Sequence, residues 1–473
     1  MRLQDILNMV ADYLRLGIVL LVIAVVVLLV GYWGIYKKLC KGKREADLKK
    51  VFWWIIFVFY LFVVLAVTLF RPSGVWNKGQ IISFFYSYKE AWITASETAW
   101  RNIILNILMF VPLGFWLPIG MKRFRVFWKT YLVGFFMTVG IESFQLMLAL
   151  GLFEVADVFN NTLGTMIGYG LYKVVEYIVQ LFKKDSPKLS RMVVCQTPLI
   201  LAVAMFTTIF VAYEKQELGN LPIECISPYS EDTFKIVSNE EYSEENQTAM
   251  VYQTNILTVE ETETFARNFF ENLGTRLDES RNDIYEETAF YWAEDDYSIW
   301  IDYRGGIYNF TDFSISFPED GVKESQKIVD ATEETIVEAL LSYGIEIPEG
   351  AAFSYDSDMG YIFTVERVEV NGIIYDGQLT CEYYDNGKLS GIRNNIKRFE
   401  VYKEFEICSE REAYERILDG KFICAANPGD EIEIGKVSLA YVMDTKGFYQ
   451  PVYNFVVYIN EKESFIQIPA IEK

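Results

Sequence analysis

The sequence predicts a multi-domain protein: an all-α bundle of six transmembrane helices, followed by a C-terminal extracellular α+β domain of helices on antiparallel sheets. Long apolar stretches are confined to residues 1–213, and more than half of the whole chain is hydrophobic. Charge divides at the same point. Residues 1–213 contain 22 Lys and Arg against 11 Asp and Glu, whereas residues 214–473 contain 21 against 53. A basic apolar part and an acidic polar part indicate domains in different solvents.

Six segments are long and apolar enough to be transmembrane helices, since a spanning helix needs about 20 mainly apolar residues. They are residues 17–36, 51–70, 101–119, 126–150, 155–182 and 193–213. The first segment is too long for the apolar part of a signal peptide. Lys37 and Lys38 follow it in place of a small-residue cleavage site, so we expect it to be a retained helix.

Three connecting loops are strongly basic, and six spans place all three on the same side of the membrane. The loops are Lys37–Lys50, Met121–Lys129 and Lys183–Arg191. The positive-inside rule assigns that side to the cytoplasm. We therefore expect a multi-pass protein of the cell membrane, with the N-terminus and the C-terminal domain outside the cell.

Polar side chains occur inside three predicted spans, at similar depths toward the outer surface. Glu142 and Gln145 share one helical face, and Asp157 and Asn161 share another. A carboxylate at the centre of a spanning helix costs about 2.5–3.5 kcal/mol on insertion scales, so it is expected to face the bundle interior or a water-filled cavity. The expected ligand-binding residues are Arg101, Asn106, Glu142, Gln145, Asp157 and Asn161.

Two interpretations of these groups remain open. In the first, the carboxylates and amides line one cavity, and Arg101 at its rim offsets part of their charge. In the second, amides and small residues only join the helices, as they commonly do in membranes. Gly164 and Gly168 match the GxxxG packing pattern, which by itself is weak evidence, whereas carboxylates on two neighbouring helices favour a site.

The same residues resemble the VanZ-like family over Val51–Phe182. The matching segments are "NIILNILMFVPLGFWLP", "IESFQ" and "DVFNNTLGTMIGY". Asn106, Pro112, Gly114, Glu142, Gln145, Asp157, Asn161, Thr162, Gly164 and Gly168 fit the motifs. The sequence departs from the family where Gly151 stands near a frequent Arg, and where one of two paired acids is Ala156. The resemblance implies resistance to glycopeptide antibiotics such as teicoplanin, without implying a reaction.

The acidic part shows the signals of a folded domain, residues 251–473, after a polar lead-in at residues 214–250. Predicted helices begin at Thr258, Asp330 and Ser409, each with a capping-box Glu three residues later. The helices are expected to end at Gly274, Gly344 and Gly420. Predicted turns are Gly305–Gly306, Asn371–Gly372 and Asn386–Gly387. The segment Tyr441–Ile459 and the helix-then-hairpin order loosely resemble the PepSY-like and Yyc-type regulatory ectodomains of Gram-positive bacteria.

Several classes of chemistry are absent from the sequence. The chain contains no histidine, which excludes triads with a histidine base and histidine zinc sites. No cofactor or metal site is predicted, and no catalytic residue is assigned. The acidic surface argues against nucleic acid as a partner. Four cysteines are expected outside the cell, where three pairings are open and free buried thiols are the alternative. They are Cys225, Cys381, Cys408 and Cys424.

Two hypotheses for function follow. In the first, the VanZ-like bundle binds a membrane lipid or envelope precursor in a polar cavity of the outer leaflet and lowers glycopeptide action. In the second, the ectodomain is a sensor or regulator that binds a signal or another membrane or wall protein, and the bundle is mainly an anchor. Loss of function on changing bundle carboxylates favours the first, and loss only on deleting the ectodomain favours the second.

Overall fold

The structure is a computed structural model. It describes residues 48–69, 81–148, 153–223, 235–316, 325–370, 372–420, 422 and 429–471. The chain divides into two compact units, the first ending at Gln216 and the second beginning at Glu217. The predicted span at residues 17–36 lies outside the described residues, as does most of the basic loop that follows it.

The first unit is helical. Its helices are α1 (Leu48–Leu69), α2 (Tyr86–Thr94), α3 (Glu97–Gly120), α4 (Phe127–Met147), α5 (Val155–Phe182), α6 (Leu189–Val194) and α7 (Thr197–Lys215). A 3-10 turn, Lys122–Arg125, connects α3 to α4. Two short strands, β1 (Ile81–Ile82) and β2 (Phe153–Glu154), pair in parallel and hold the segment before α2 beside the start of α5.

Helices occupy five of the six predicted membrane segments. Within the part of the chain that the structure describes, two helices, α3 and α7, are long and apolar enough to cross a membrane, judged by length and composition. The apolar stretch of α1, Trp53–Thr68, is shorter. Polar residues such as Glu142 and Asp157 lower the hydropathy of α4 and α5. The six-span bundle therefore stays a prediction.

Small residues allow close contact between α3 and α5. A Cβ atom at Gly164 would lie 1.9 Å from the carbonyl oxygen of Ile107, and one at Gly168 would lie 2.0 Å from that of Val111. On the other side of the contact, a Cβ at Gly114 would lie 1.9 Å from the Thr165 carbonyl oxygen. Such distances are impossible for a side chain, so glycine is required at these positions. This supports the packing interpretation of the GxxxG pattern.

The second unit contains four helices and fourteen strands among its described residues. The helices are α8 (Val259–Asn272), α9 (Phe313–Ser316), α10 (Glu333–Ser342) and α11 (Glu410–Leu418), with a 3-10 turn at Glu279–Arg281. The first strands are β3 (Lys235–Ser238), β4 (Gln247–Thr254), β5 (Asp283–Ile284), β6 (Thr288–Trp292), β7 (Tyr297–Asp302), β8 (Tyr308–Asp312) and β9 (Ala352–Asp356). The others are β10 (Gly360–Val370), β11 (Ile373–Tyr383), β12 (Leu389–Asn394), β13 (Lys397–Ile407), β14 (Glu431–Met443), β15 (Phe448–Ile459) and β16 (Lys462–Pro469).

The fourteen strands form one mixed sheet, where antiparallel sheets were predicted. Its main path runs β3-β14-β15-β4-β13-β11-β12-β8-β7-β6-β5, with β10 beside β11, β9 beside β10, and β16 beside β15. The β3–β14 pair is parallel, which is possible because most of the second unit separates the two strands in sequence and no tight hairpin joins them. Helices α8 and α10 cover one hydrophobic core, which includes Phe270 and Ile336, and α11 covers a second one around Phe455.

Local signals located two of the three predicted helix starts. The capping boxes Thr258–Glu261 and Ser409–Glu412 are both formed. The predicted cap at Asp330 is wrong: α10 begins after Thr332, whose hydroxyl accepts from the Thr335 amide. The Ala331 amide instead donates to the Tyr361 hydroxyl, which holds that residue outside the helix. The turn glycines Gly305, Gly306, Gly372 and Gly387 all have positive φ angles, as hairpin turns require.

Two of the four cysteines of the second unit are described. Cys381 and Cys408 are buried free thiols, as is expected of structural cysteines in a core. Cys225 and Cys424 lie outside the described residues. For the two described cysteines the structure therefore shows the free-thiol alternative.

Candidate functional site

The environment of Glu142 explains why a carboxylate occurs in an apolar helix. It lies on α4 with 3% of its surface exposed, and its Oε2 atom accepts from the backbone N–H of Glu154 at 3.1 Å. Glu154 is the N-cap residue of α5. The carboxylate thus accepts a hydrogen bond from one of the backbone N–H groups that have no partner within the helix at its N-terminus. It also lies at the positive end of the helix dipole.

A second carboxylate lies close to the first. Asp157, in the first turn of α5, accepts a hydrogen bond of 2.6 Å from the side-chain amide of Asn106 on α3. Both Asp157 and Glu154 are near enough to Glu142 to interact with its charge. Side chains from three helices therefore meet at the start of α5, where the helix dipole partly offsets their negative charge.

Asn161 and its neighbour Asn160 extend this group one turn along α5. Asn161 donates from Nδ2 to the Thr138 hydroxyl of α4 at 2.9 Å, and Asn160 accepts from the Tyr88 hydroxyl of α2. Both asparagines are almost fully buried. Two of their atoms, Asn160 Nδ2 and Asn161 Oδ1, have no hydrogen-bond partner among the described residues. Buried polar atoms of this kind are unusual, because each costs about 1–3 kcal/mol.

Gln145 has a different contact. Its side-chain amide donates to the backbone carbonyl of Thr68 at 2.8 Å, which joins α4 to the end of α1. Thr68 itself donates from its hydroxyl to the Val64 carbonyl. The contact of Gln145 is therefore one between helices, beside the carboxylates and not with them.

Arg101 lies on another side of α3. Asn106 follows it by five positions, which turns the two side chains about 140° apart around the helix. Arg101 lines a cavity of about 400 Å³ together with Glu97 and Trp100, and its guanidinium also lies 3.4 Å from the Thr98 hydroxyl. The structure therefore brings together Asn106, Glu142, Asp157 and Asn161, and it places Gln145 and Arg101 outside this group. We call those four residues the acid–amide cluster.

Three residues beside the cluster were not predicted from the sequence. Asn160 lies three positions after Asp157 and so shares its helical face, a signal that the spacing offered. Tyr88 and Thr138 contact Asn160 and Asn161, but neither has a local signal, because each is brought there by helix packing. Another contact at this end is the hydrogen bond of 2.7 Å from the Ser87 hydroxyl to the Glu154 carboxylate.

The chemistry available to the acid–amide cluster includes recognition by hydrogen bonding. Its carboxylate and amide oxygens accept hydrogen bonds, so a cationic or hydroxyl-bearing group suits it. No group of three or more His, Cys, Asp or Glu able to hold a metal ion occurs in the described residues.

The second unit contains a buried ionic group of its own. Asp312, with 1% of its side chain exposed, lies 3.5 Å from the Lys388 ammonium, which also donates to the Tyr297 hydroxyl at 3.0 Å. Burial lowers the pKa of Lys388, but its bond to Tyr297 and the charge of Asp312 outweigh that effect and raise the pKa overall. Ser314 donates to the other Asp312 oxygen. This arrangement stabilises the junction between β8 and α9.

Comparisons with known proteins give one family. No curated protein matches the chain. A crystal structure of an uncharacterized protein from Eubacterium rectale ATCC 33656 is similar over 52% of this chain and 89% of that one, with 14% identity and a TM-score of 0.25, too low to support an argument about fold. The looser resemblance of the second unit to PepSY-like and Yyc-type domains stays a prediction. Residues 57–176 match the model of the VanZ/LLP1 family, and the chain therefore carries a VanZ-like domain in its first unit.

Proposed function

We propose that this protein is a multi-pass VanZ-like membrane protein that binds the polar head of a cell-envelope amphiphile at the acid–amide cluster. By doing so it lowers the action of teicoplanin-type glycopeptides at the cell surface. One observation carries the proposal: the buried carboxylate of Glu142 and the half-buried carboxylate of Asp157, on different helices, lie near buried asparagine atoms that have no partner among the described residues. The family match to residues 57–176 supports the link to antibiotic resistance.

The energetics of the cluster favour a site over packing alone. Hydrogen bonds between membrane helices contribute only about 0.6 kcal/mol on average, less than the cost of an unsatisfied buried polar atom. A ligand hydroxyl can donate to Asn161 Oδ1 and accept from Asn160 Nδ2, which removes that cost. Because both carboxylates attract cations, a cationic or hydroxyl-rich head group fits better than a bare phosphate.

Membrane orientation is part of the proposal. The basic segments Met121–Lys129 and Lys183–Arg191 support a cytoplasmic location for one end of the helices. The acid–amide cluster lies toward the opposite end, at the start of α5, and so would open to the outer leaflet. The acidic second unit would then be extracellular.

A cysteine-accessibility experiment tests this orientation. Native cysteines are replaced, and single cysteines are introduced at Lys122 and at Glu244, both exposed positions. A membrane-impermeant maleimide should label the Glu244→Cys protein in intact cells and leave the Lys122→Cys protein unlabelled until the cells are opened. Labelling of the Lys122→Cys protein in intact cells contradicts the model.

The ligand site is tested by removing charge without changing shape. Glu142→Gln and Asp157→Asn keep most hydrogen-bonding capacity, so helix packing should survive, whereas a charge-dependent site should not. Glu90→Gln, at an exposed acid on α2, is the matched control. We expect normal membrane abundance for all three variants and loss of glycopeptide protection in the first two. If both cluster variants give full protection against the glycopeptide, the proposed charge-dependent ligand site is wrong.

The second function, a membrane-anchored sensor, has a specific observation in its favour. The second unit has two hydrophobic cores and a sheet of fourteen strands, so it is a large domain with its own packing. A variant ending at Gln216 separates the two functions. If it protects cells as well as the whole protein, function lies in the first unit. If all function disappears while the shortened protein still accumulates in the membrane, the sensor is favoured.

A further inference from the structure

The first unit contains a cavity that is not lined by the residues of the acid–amide cluster. It lies between α2, α3 and α7 and has a volume of about 400 Å³. Small-ligand sites typically measure about 300–1,000 Å³ and have apolar walls with a few polar groups. We call this space the Trp–Arg cavity. Its aromatic walls are Trp92, Trp100, Phe210 and Tyr213, and its charged residues are Glu97 and Arg101.

The aromatic rings of the cavity pack against one another across three helices. Trp92 of α2 contacts Tyr213 of α7 edge to face, with ring centroids 6.0 Å apart. Trp100 of α3 contacts Phe210 of α7 in the same way at 5.4 Å. These contacts position the rings without any ligand, so the walls are preorganised. Trp and Tyr are also the residues that membrane proteins place at the level of lipid head groups.

The two charges give the cavity a specific complementarity. Glu97 and Arg101 lie four residues apart on α3 and so share one helical face. A guanidinium binds phosphate with two parallel hydrogen bonds. A carboxylate beside aromatic rings favours an ammonium group, which the ring faces also attract. One cation and one anion, close together at an apolar cavity, match a head group that carries both charges.

We propose that the Trp–Arg cavity binds a zwitterionic phospholipid, with its phosphate at Arg101, its ammonium at Glu97 and the aromatic rings, and an acyl chain along the apolar wall. This inference uses the membrane placement proposed above for α3 and α7, and it does not depend on ligand binding at the acid–amide cluster. The ligand differs from the one expected there, because the cluster has carboxylates without an adjacent arginine.

Fluorescence quenching in lipid nanodiscs tests the proposal on the full-length protein. Bromine on an acyl chain quenches tryptophans that the chain contacts. In discs of phosphatidylethanolamine and phosphatidylglycerol, bromine on the phosphatidylethanolamine should quench Trp92 and Trp100 more than bromine on the phosphatidylglycerol. The difference should shrink when both tryptophans are replaced by Phe. Equal quenching by the two brominated lipids overturns the proposal.

Charge variants assign the selectivity to named residues. Arg101→Gln should weaken the preference for the zwitterionic lipid roughly tenfold, the effect of losing one charged hydrogen-bonded contact. Glu97→Gln should weaken it in the same direction, and Arg101→Lys should restore part of it. If Arg101→Gln fails to fold, Glu97→Gln decides the question. An unchanged preference in a folded charge variant contradicts the assignment.

A control and a comparison separate this inference from the proposed function. Lys122→Gln removes a basic residue from the exposed turn between α3 and α4 and should leave the lipid preference unchanged. Glu142→Gln should also leave it unchanged. If the wild-type protein shows no lipid preference but its protection depends on Glu142, only the proposal of lipid binding in the cavity is wrong. If the Glu142→Gln protein protects cells normally, the proposed ligand site at the acid–amide cluster is wrong, and lipid binding in the cavity is unaffected.

Discussion

The Nδ2 atom of Asn106 lies 2.6 Å from Oδ1 of Asp157 and joins two helices whose residues are 51 positions apart in sequence. The bond satisfies a carboxylate next to the buried Glu142. It also places the polar face of α5 against α3, whose backbone is approached by Gly164 and Gly168. One side-chain pair therefore connects the packing of the first unit to its candidate site.

Replacing Asn106 tests the strength of that connection. Asn106→Ala leaves an Asp157 oxygen without its amide donor, and we expect a loss of about 1–3 kcal/mol in stability. The melting temperature of the detergent-solubilised protein reports this change. Asn102→Ala, one turn earlier on α3, is the matched control and should have a smaller effect. Equal effects of the two substitutions would show that the contact with Asp157 is energetically unimportant.

Glycine substitutions test the close contact of α3 with α5. Gly164→Ala forces the helices apart, because its Cβ would lie 1.9 Å from a backbone oxygen, and overpacking typically costs about 1–3 kcal/mol. Gly140→Ala on α4 is a matched counterpart, since no atom outside the adjacent helix backbone lies within 4 Å of the added Cβ. It should be neutral or stabilising by up to about 1 kcal/mol. Thermal melting of the two variants, measured side by side, decides whether the contact is as tight as described.

The second unit should fold without the first, and its stability should depend on the residues that precede β4. The backbone N–H of Gly219 donates to the buried Asp444 carboxylate at 2.6 Å, and strand β3 pairs with β14. A fragment of residues 217–473 should therefore melt cooperatively. A fragment of residues 251–473 lacks β3 and half of β4, and a fragment of residues 235–473 lacks only the Gly219 segment. We expect melting temperatures to fall in the order 217–473, 235–473, 251–473, and any other order contradicts the roles assigned to these segments.

Asp302 should make the stability of the second unit depend on pH. Burial raises the pKa of this carboxyl in the folded protein. Ionisation therefore costs stability, and the cost is absent below the unfolded-state pKa of about 3.9 and fully present above the folded-state pKa. Asp302→Asn removes the cost and keeps an oxygen for the Arg304 amide. The variant should unfold at higher urea than the wild type at neutral pH, with little advantage near about pH 3.

An exposed acid provides the control for that experiment. Asp295 lies in the turn before β7, and Asp295→Asn should show no comparable gain at neutral pH. If the Asp302→Asn advantage is the same at both pH values, it comes from packing or hydrogen bonding and not from the charge of the carboxylate.

The sequence alone determined what depends on neighbours within a few residues. Capping boxes at Thr258 and Ser409 involve residues three apart, and turn glycines need only a local backbone conformation. The VanZ-like motifs also identified Asn106, Glu142, Asp157 and Asn161, because costly polar groups in apolar helices stand out against their surroundings. The division of charge between the two parts of the chain also follows from the sequence alone, since it depends on composition.

Tertiary structure decided which polar groups meet. Gln145 shares a face with Glu142, yet its partner is the Thr68 carbonyl, 77 positions away in sequence. Arg101 lines a cavity with Glu97 on a different side of α3 from Asn106. Helical periodicity assigns a residue to a face, but the neighbour of that face depends on how helices distant in sequence pack. That packing follows from close-fitting side chains and backbone contacts, which no local pattern contains.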